Sequence, residues 1–464
     1  MATEQELLAK INELKKEIES LNSQIKQQPF GLTWIDVPEA FEKESEDRIP
    51  ILTEVDNKTI ISKSGEPTHV LIEGDNFHAL TCLNYTHRGS VDVIYIDPPY
   101  NTGNDFVYED DFAQTSGEFK DKSGMFDQDG RMLLQNYEVN ADSNGRFHTD
   151  WLNMMYPRLK VAKDLLKSDG VIFMSIDDGE LDNLRKLANE IFGEVNFIAD
   201  ICVVNNLKGR NDKKYIARAN ERLLMYVKSK EFEEYGLPLS NDTLKEYKEQ
   251  DDKGKYRLLE LRKRGGADTR AERPNMYYPF YVDEATGHVS LQEDLMHTSP
   301  VLPVKSNGVD GRWRWGFDTS SKNIEYLIAK KVQGTDKYNI YEKDYLEGDE
   351  GVRRVRPKSV KTGASYSTDV ATKEYRSLMG EIDFSSPKPI AMLEDLIEYA
   401  TPPFEDSIIL DFFSGSSTTA HAVMRLNAKD NGRRRFIMVQ LPERTEDSTP
   451  AYKAGYFNLC QIAE

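Results

Sequence analysis

Two short stretches carry residue types in an order that can do chemistry. The first is Asp97-Pro98-Pro99-Tyr100, directly after the apolar run VDVIYI. Successive prolines remove backbone donors and stiffen φ, so the turn presents carbonyl oxygens and the Asp97 carboxylate as fixed acceptors beside the Tyr100 ring. Such a turn suits a planar group bearing an NH2: two acceptors hold its two hydrogens, the ring stacks, and the nitrogen lone pair turns toward an electrophile. Taken alone, the tetrapeptide is equally well explained as a rigid turn with a capping Asp. The second stretch runs from Asp411 through Phe412, Phe413, Ser414, Gly415, Ser416, Ser417 and Thr418 to Thr419, closing SIILDFF and opening a helix. Gly415 lets backbone approach a ligand, and hydroxyls at a helix N-terminus favour a carboxylate or phosphate. No Gly-Lys-Ser/Thr follows and no GxGxxG is present, which argues against ATP and NAD.

These motifs need a scaffold, and the hydropathy pattern supplies one. From residue 67, the β-rich runs THVLIEGD, VDVIYID, GVIFMSIDD, SIILDFF and RRFIMVQL alternate with the helical periods LNMMYPRLKVAKDLL, GELDNLRKLANEIF, PIAMLEDLIEYA and SSTTAHAVMRL. Continuous apolar strands between helices predict an α/β fold with a parallel sheet covered on both faces. Both motifs follow strands, which is where open α/β sheets bind ligands. Upstream, Leu7, Ile11, Leu14, Ile18, Leu21 and Ile25 form a heptad with Ile at a and Leu at d. It fits either a parallel two-stranded coil, in which Lys10 and Lys15 would face like charge, or a helix on its own domain. Pro29 and Gly31 end it.

Composition excludes several function classes. The 464 residues include three cysteines, Cys82, Cys202 and Cys460, too few for a disulfide framework or a Cys-rich metal site. The histidines show no metal-ligand spacing, so no metal is expected, and His148 reads as structural rather than as a base. No apolar run approaches the roughly 18 residues of a membrane span and the N-terminus lacks signal-peptide features, so a cytoplasmic protein is expected. The net charge of −19 opposes a polyanionic partner on average, but residues 201–380 hold 33 Lys+Arg against 28 Asp+Glu. That segment lacks the α/β rhythm and reads as an inserted domain.

The combination is more specific than its parts. Asp97-Pro98-Pro99-Tyr100 with Asn101-Thr102-Gly103, followed far downstream by Phe413-Ser414-Gly415-Ser416, resembles the β-type amino-methyltransferases of DNA. The stretches LIEGDNFHAL, YIDPPYNTGNDFVYEDDF, GRFHTDWLNMMYPRLKVAKDLL, RKRGGADTRAERPNMYYP, SSPKP and RRFIMVQLPE further resemble the modification (Mod) subunit of type III restriction-modification systems, from about residue 67 to the end. The resemblance implies a Rossmann-like, S-adenosylmethionine-dependent methyltransferase sheet, permuted with its catalytic half first. It divides the chain into an N-terminal helix (1–28), a lead-in (29–66), a catalytic half (67–200), a target-recognition domain (201–380) and a cofactor half (381–464).

Carried over by position, the resemblance implies that Asp97, Pro98, Pro99 and Tyr100 hold and stack an adenine methylated at N6. It implies that Asp411, Phe413, Ser414, Gly415, Ser416 and Thr418 receive the methionine part of S-adenosylmethionine, with Lys388 and Pro389 beside them. Asp75 matches an acidic position near the cofactor adenine. Two positions depart from the pattern: Ser417 replaces a second glycine, and Gln440 replaces an acidic residue for the ribose hydroxyls, with Glu443 as a substitute. Arg262, Lys263, Arg264, Arg270 and Arg273 are candidates for DNA phosphates or base edges, and Tyr277, Tyr278, Trp313 and Trp315 for stacking, although aromatics in turn-rich domains are more often core. Double-stranded DNA, a restriction (Res) subunit and a homodimer are the expected partners. The chain stops within a helical pattern of the cofactor half, where the family usually continues. Cytosine N4, with the same NH2 geometry, is the runner-up target, and a recognition module without methylation activity is a reading of another class.

Overall fold

The computed structural model describes residues 50–60, 66–103, 146–209, 214–348, 351–380, 382, 384 and 386–464, and the backbone of a small hairpin pairing Phe106–Tyr108 with Tyr137–Val139. The N-terminal heptad and much of the lead-in lie outside these residues. The described chain forms two compact units, residues 1–236 with 357–464, and Leu237–Arg356.

The first unit is built on eight strands: β1 (Val70–Glu73), β2 (Val91–Ile96), β3 (Leu166–Ile176), β4 (Phe197–Val203), β5 (Glu221–Val227), β6 (Val360–Lys361), β7 (Ile408–Asp411) and β8 (Arg435–Gln440). Their order is β1-β8-β7-β2-β3-β5-β4-β6. Neighbours from β1 to β3 run parallel, while β5 is antiparallel to both β3 and β4. The five strands read from the apolar runs are all present. Side chains alternate across each strand. Ile94, Ile96, Leu410 and Val439 therefore join one core with helices α1 (Asn76–Thr86), α2 (Phe147–Leu165) and α3 (Leu181–Phe192). Val93, Tyr95 and Ile409 join the opposite core with α5 (Ile390–Ala400) and α6 (Thr418–Asp430). A further helix, α4 (Thr368–Met379), precedes α5.

This alternation fixes where a ligand can enter. β7 and β2 are adjacent and parallel, with Val93 opposite Ile409 and Ile94 opposite Leu410. The helix after β2 packs on one face and the helix after β7 on the other. The chain thus diverges at this pair and opens a crevice at the carboxyl ends of both strands, the switch point of an open α/β sheet.

The second unit, Leu237–Arg356, lies within the segment 201–380 expected as an insert, while β4, β5 and β6 from the same segment complete the large sheet with apolar runs such as ERLLMYV. The unit has its own antiparallel sheets, one in the order Leu327–Lys331, Tyr338–Tyr345, Gly254–Glu260, Glu249–Asp251, and one formed by Val289–Ser290, Phe280–Val282 and Ser299–Val301. Leu261, Phe280, Val282, Trp313 and Ile340 make its core. Leu237–Arg356 by itself contains 21 Lys+Arg and 21 Asp+Glu, so the basic surplus of residues 201–380 resides in flanks that belong to the first unit.

Candidate active site

β2 ends where Pro98 and Pro99 cannot donate to a ladder, and contacts with Trp151 and Glu180 fix the turn that follows. The Trp151 indole Nε1 of α2 donates to the Pro99 carbonyl at 2.8 Å. Asn101 adopts a left-handed backbone with φ 57°, and its amide donates at 2.6 Å to Glu180, a fully buried carboxylate. Glu180 also meets His148 Nδ1 at 2.6 Å and accepts from Asn183 at 2.7 Å. His148 therefore belongs to the support of the turn.

Asp97 and Tyr100 face a charged cluster drawn from distant segments. Lys388 Nζ donates to the Tyr100 hydroxyl at 2.6 Å and to Glu221 Oε2 at 2.8 Å, and lies 3.1 Å from Asp97 Oδ1. The Tyr100 hydroxyl donates onward to Glu221 at 3.1 Å. The Lys388 and Glu221 side chains are only 13% and 7% exposed. Asp97 Oδ1 is inaccessible and accepts no hydrogen bond: the ammonium is close to it but off the direction a hydrogen bond needs. An inaccessible carboxylate oxygen without a donor is costly unless a ligand supplies one. Burial, opposed by Lys388 and reinforced by Glu221, holds the Asp97 carboxyl above its usual range. Burial alone would lower the Lys388 ammonium, but the two carboxylates outweigh it and raise it.

The turn after β7 is organised mainly from within. Asp411 Oδ1 accepts from the Phe413 N–H at 3.1 Å and Oδ2 from the Thr419 hydroxyl at 2.6 Å. Burial pushes the Asp411 carboxyl up to about 7. Gly415 has φ 53°, and a Cβ there would lie 3.1 Å from the Phe384 ring, so the position is confined in both conformation and space. Ser417 is left-handed as well, at φ 55°, the conformation a glycine takes at low cost. Gln440 is turned inward: its Oε1 accepts from the Gly415 N–H at 2.7 Å and its Nε2 donates to the Leu441 carbonyl at 3.0 Å. Ser416 and Thr418 hydroxyls pair at 3.1 Å, whereas the buried hydroxyls of Ser414 and Ser417 have no partner. Phe413 packs at the edge of the core beside Phe412.

Asp75 caps α1 by accepting from the His78 N–H at 3.0 Å. It also pairs at 3.2 Å with Arg158, which is fully buried. Arg158 further bonds Asn76, whose amide donates to the Phe412 carbonyl at 2.9 Å. This chain ties the end of β1 to the turn after β7. Glu443 lies half-buried beyond β8, its carboxyl raised by burial.

The fold thus brings Asp97, Tyr100 and Lys388 into one cluster and assembles Asp411, Ser414, Gly415, Ser416, Thr418 and Gln440 into another. Lys388, placed by its motif beside the turn after β7, contacts Asp97 and Tyr100 of the turn after β2. Glu221, Trp151 and Glu180 escaped sequence reasoning, which read Asn101 only as part of the motif. The signals available were slight: a lone acidic residue heading the apolar strand ERLLMYV, and a tryptophan inside an amphipathic helix.

In the second unit, Arg262 and Arg264 both engage Glu260, Arg262 at 3.1 Å, and Arg270 engages Asp310 at 3.1 Å while stacking on Tyr277. Lys263 and Arg273 show no acidic partner among the described residues, and Arg273 is exposed. Trp313 and Tyr278 are buried in the core, Trp313 Nε1 donating to the Tyr278 carbonyl at 2.8 Å.

Comparison with known proteins agrees with this geometry. A family model described as DNA methylase matches residues 91–449. The EcoPI Mod subunit of a type III restriction-modification enzyme from Escherichia phage P1 is 35% identical over 402 residues, covering 85% of this chain and 61% of its own length. The type II methyltransferase M.KpnI from Klebsiella pneumoniae is 34% identical over 390 residues, covering 84% of each chain. The EcoP15I Mod subunit from Escherichia coli is 32% identical, covering 85% of this chain and 62% of its own. The chain spans about three fifths of the length of these Mod relatives.

Proposed function

The chain belongs to the DNA methylase family, and from that membership we propose that it methylates adenine N6 in double-stranded DNA as the modification and recognition subunit of a type III restriction-modification system. The observation that carries the proposal is the Asp97 carboxylate, partly exposed at the end of β2 beside the turn after β7 and paired through its inaccessible Oδ1 with the Lys388 ammonium at 3.1 Å. The residues of that second turn suit S-adenosylmethionine. Ser414 and Ser417 offer buried hydroxyls without partners to its polar groups. Glu443 is the candidate for the ribose hydroxyls, because Gln440 is spent on the loop.

When bound, S-adenosylmethionine supplies an electrophilic methyl: the amine lone pair forms the N–C bond, the C–S pair stays on sulfur, and one proton leaves nitrogen. The exposed side of the Asp97 carboxylate and the Pro98 carbonyl hold the two amine hydrogens, the Pro99 carbonyl being taken by Trp151. This aims the lone pair at the methyl, and Asp97 takes the released proton. Tyr100 stacks on the base, which has to leave the duplex to arrive there, at a cost of a few kcal/mol. Asp97→Ala is expected to abolish incorporation of labelled methyl groups into unmethylated DNA while gel-shift binding persists. Wild-type turnover by this variant would refute the assignment, and sequencing the modified DNA distinguishes N6-methyladenine from N4-methylcytosine.

Target recognition is assigned to the second unit, with Lys263 and Arg273 as the phosphate-contacting cations because their charge is not already shared. Their double alanine variant is expected to reduce the slope of log affinity against log salt by about 0.9 per contact. The Arg262 and Arg264 pair, already held by Glu260, changes it less; the reverse order would move the interface. The same reading extends to a Res partner, a homodimer and a cytoplasmic location. Among the described residues no helix is long and apolar enough to cross a membrane, and light scattering of the purified chain tests the dimer.

A further inference from the structure

One feature of the catalytic cluster lies outside the mechanism above: a lysine and a second carboxylate, both nearly inaccessible, stand where only an amine acceptor and a stacking ring are required. Lys388 precedes α5 and Glu221 opens β5, so each reaches Asp97 only through the assembled sheet. The ammonium donates to Glu221 at 2.8 Å and to the Tyr100 hydroxyl at 2.6 Å, and forms an ion pair with Asp97 at 3.1 Å. A lysine used only for packing or solubility keeps its head in water, and this one does not.

We propose that Lys388 and Glu221 are a charge-setting pair of positioning residues for Asp97: Lys388 keeps the amine-accepting carboxylate ionised, and Glu221 anchors Lys388 while cancelling its charge, so that the amine pocket retains one net negative charge. The inference rests on the assignment of Asp97 to the target amine and adds the control of its charge. A buried Asp97 alone would favour its protonated form, which is a weaker acceptor for an amine hydrogen and cannot take a proton from nitrogen. Lys388 alone would correct that but leave a neutral pocket, with nothing to stabilise the positive charge that develops on nitrogen as it is methylated. Two carboxylates around one ammonium satisfy both demands, in a water-poor site where such charges act strongly.

The other groups facing Asp97 do not compete for this role. Tyr100, from the same turn, and Tyr95, from β2, have hydroxyls that burial raises well above their ordinary range, so both stay neutral. Tyr95 is moreover paired with Ser175 at 2.9 Å. Asp411, from β7, is bonded within its own turn.

The test is the pH dependence of single-turnover methyl transfer by the full 464-residue chain, with S-adenosylmethionine and an unmethylated, sequence-randomised plasmid pool. It is paired with titration of 13C-labelled aspartate carboxyls in the protein without cofactor or DNA, the Asp97 signal being assigned by its loss in Asp97→Asn. Losing Lys388 removes the opposite charge, so Lys388→Met is expected to move the acidic limb, and the Asp97 resonance midpoint, to higher pH by about one unit or more. Losing Glu221 removes a like charge, so Glu221→Gln is expected to move both to lower pH and to slow the plateau rate. Lys388→Arg, which retains the charge, leaves the midpoint near the wild-type value and covers the case in which the methionine variant does not fold. The limb belongs to the coupled cluster, so the direction of each displacement is the decisive reading. Shifts in the same direction, or slower rates with unmoved midpoints, overturn the inference while leaving the Asp97 assignment intact. Full activity of Asp97→Ala overturns that assignment instead.

Discussion

The turn after β2 and the turn after β7 leave adjacent strands at the same edge of the sheet, yet they are held in opposite ways. The cofactor-side turn is largely self-contained: Asp411 binds groups two and eight residues ahead, and Ser416 pairs with Thr418. Gln440 supplies one brace from the neighbouring strand. The catalytic turn depends on partners 52, 121 and 288 residues away, namely Trp151, Glu221 and Lys388. A loop that only cradles a ligand can be specified locally. A carboxylate that has to be buried, ionised and aimed needs counter-charges and donors from several elements, because no short peptide can surround it.

Three variants probe this contrast. The largest effect is expected from the remote brace: Trp151→Phe keeps the apolar ring but leaves the Pro99 carbonyl without its donor. The expected result is a kcat lower by about 10- to 100-fold, as for a small misplacement of reacting groups, with little change in cofactor affinity. An unaltered kcat would mean that the prolines alone hold the turn.

An intermediate effect is expected at Asp411. Its carboxyl is about 7 in the folded protein against an ordinary 3.8, so between these values the folded state binds a proton that the unfolded state does not. Its contribution to stability therefore grows as pH falls from 7 toward 4. Asp411→Asn is expected to remove that component, giving a melting temperature that rises less between pH 8 and pH 5 than in the wild type. Parallel curves would show that Asp411 is not the titrating group.

The smallest effect concerns Ser417. Relief of a left-handed serine, worth about 1 kcal/mol, is partly offset by the extra freedom of glycine in the unfolded chain. Ser417→Gly is therefore expected to raise Tm by roughly 1–3 °C. Calorimetry with S-adenosylmethionine then shows whether the hydroxyl contributes to binding: unchanged affinity would confine Ser417 to a conformational role.

Much of the scaffold is legible in the chain because its signals are local. The runs VDVIYI and SIILD alternate correctly for a sheet buried on both faces, and LNMMYPRL and GELDNLRKLANEIF keep a helical period. The strand Glu221–Val227 falls inside the segment 201–380, and Phe197–Val203 straddles its start, because the overall composition of that segment is polar and basic, although ERLLMYV is as apolar as the strands of the α/β pattern. The helix Asn76–Thr86 went unread because its polar and apolar residues follow no clear stripe, and packing decides its state.

By itself the sequence determined the two motifs, the parallel sheet that delivers them to one edge, and the family whose chemistry they serve. Proline stiffness, glycine freedom and strand hydropathy act over a few residues and are written into those residues. Only the tertiary structure decided that Lys388 faces Asp97, that Gln440 is spent on Gly415, that Glu221 joins the cluster and that the compact insert is charge-neutral. Each of these depends on which distant segments share a dry space, where the cost of burying a charge is met by whichever opposite charge or donor the fold brings within about 3 Å.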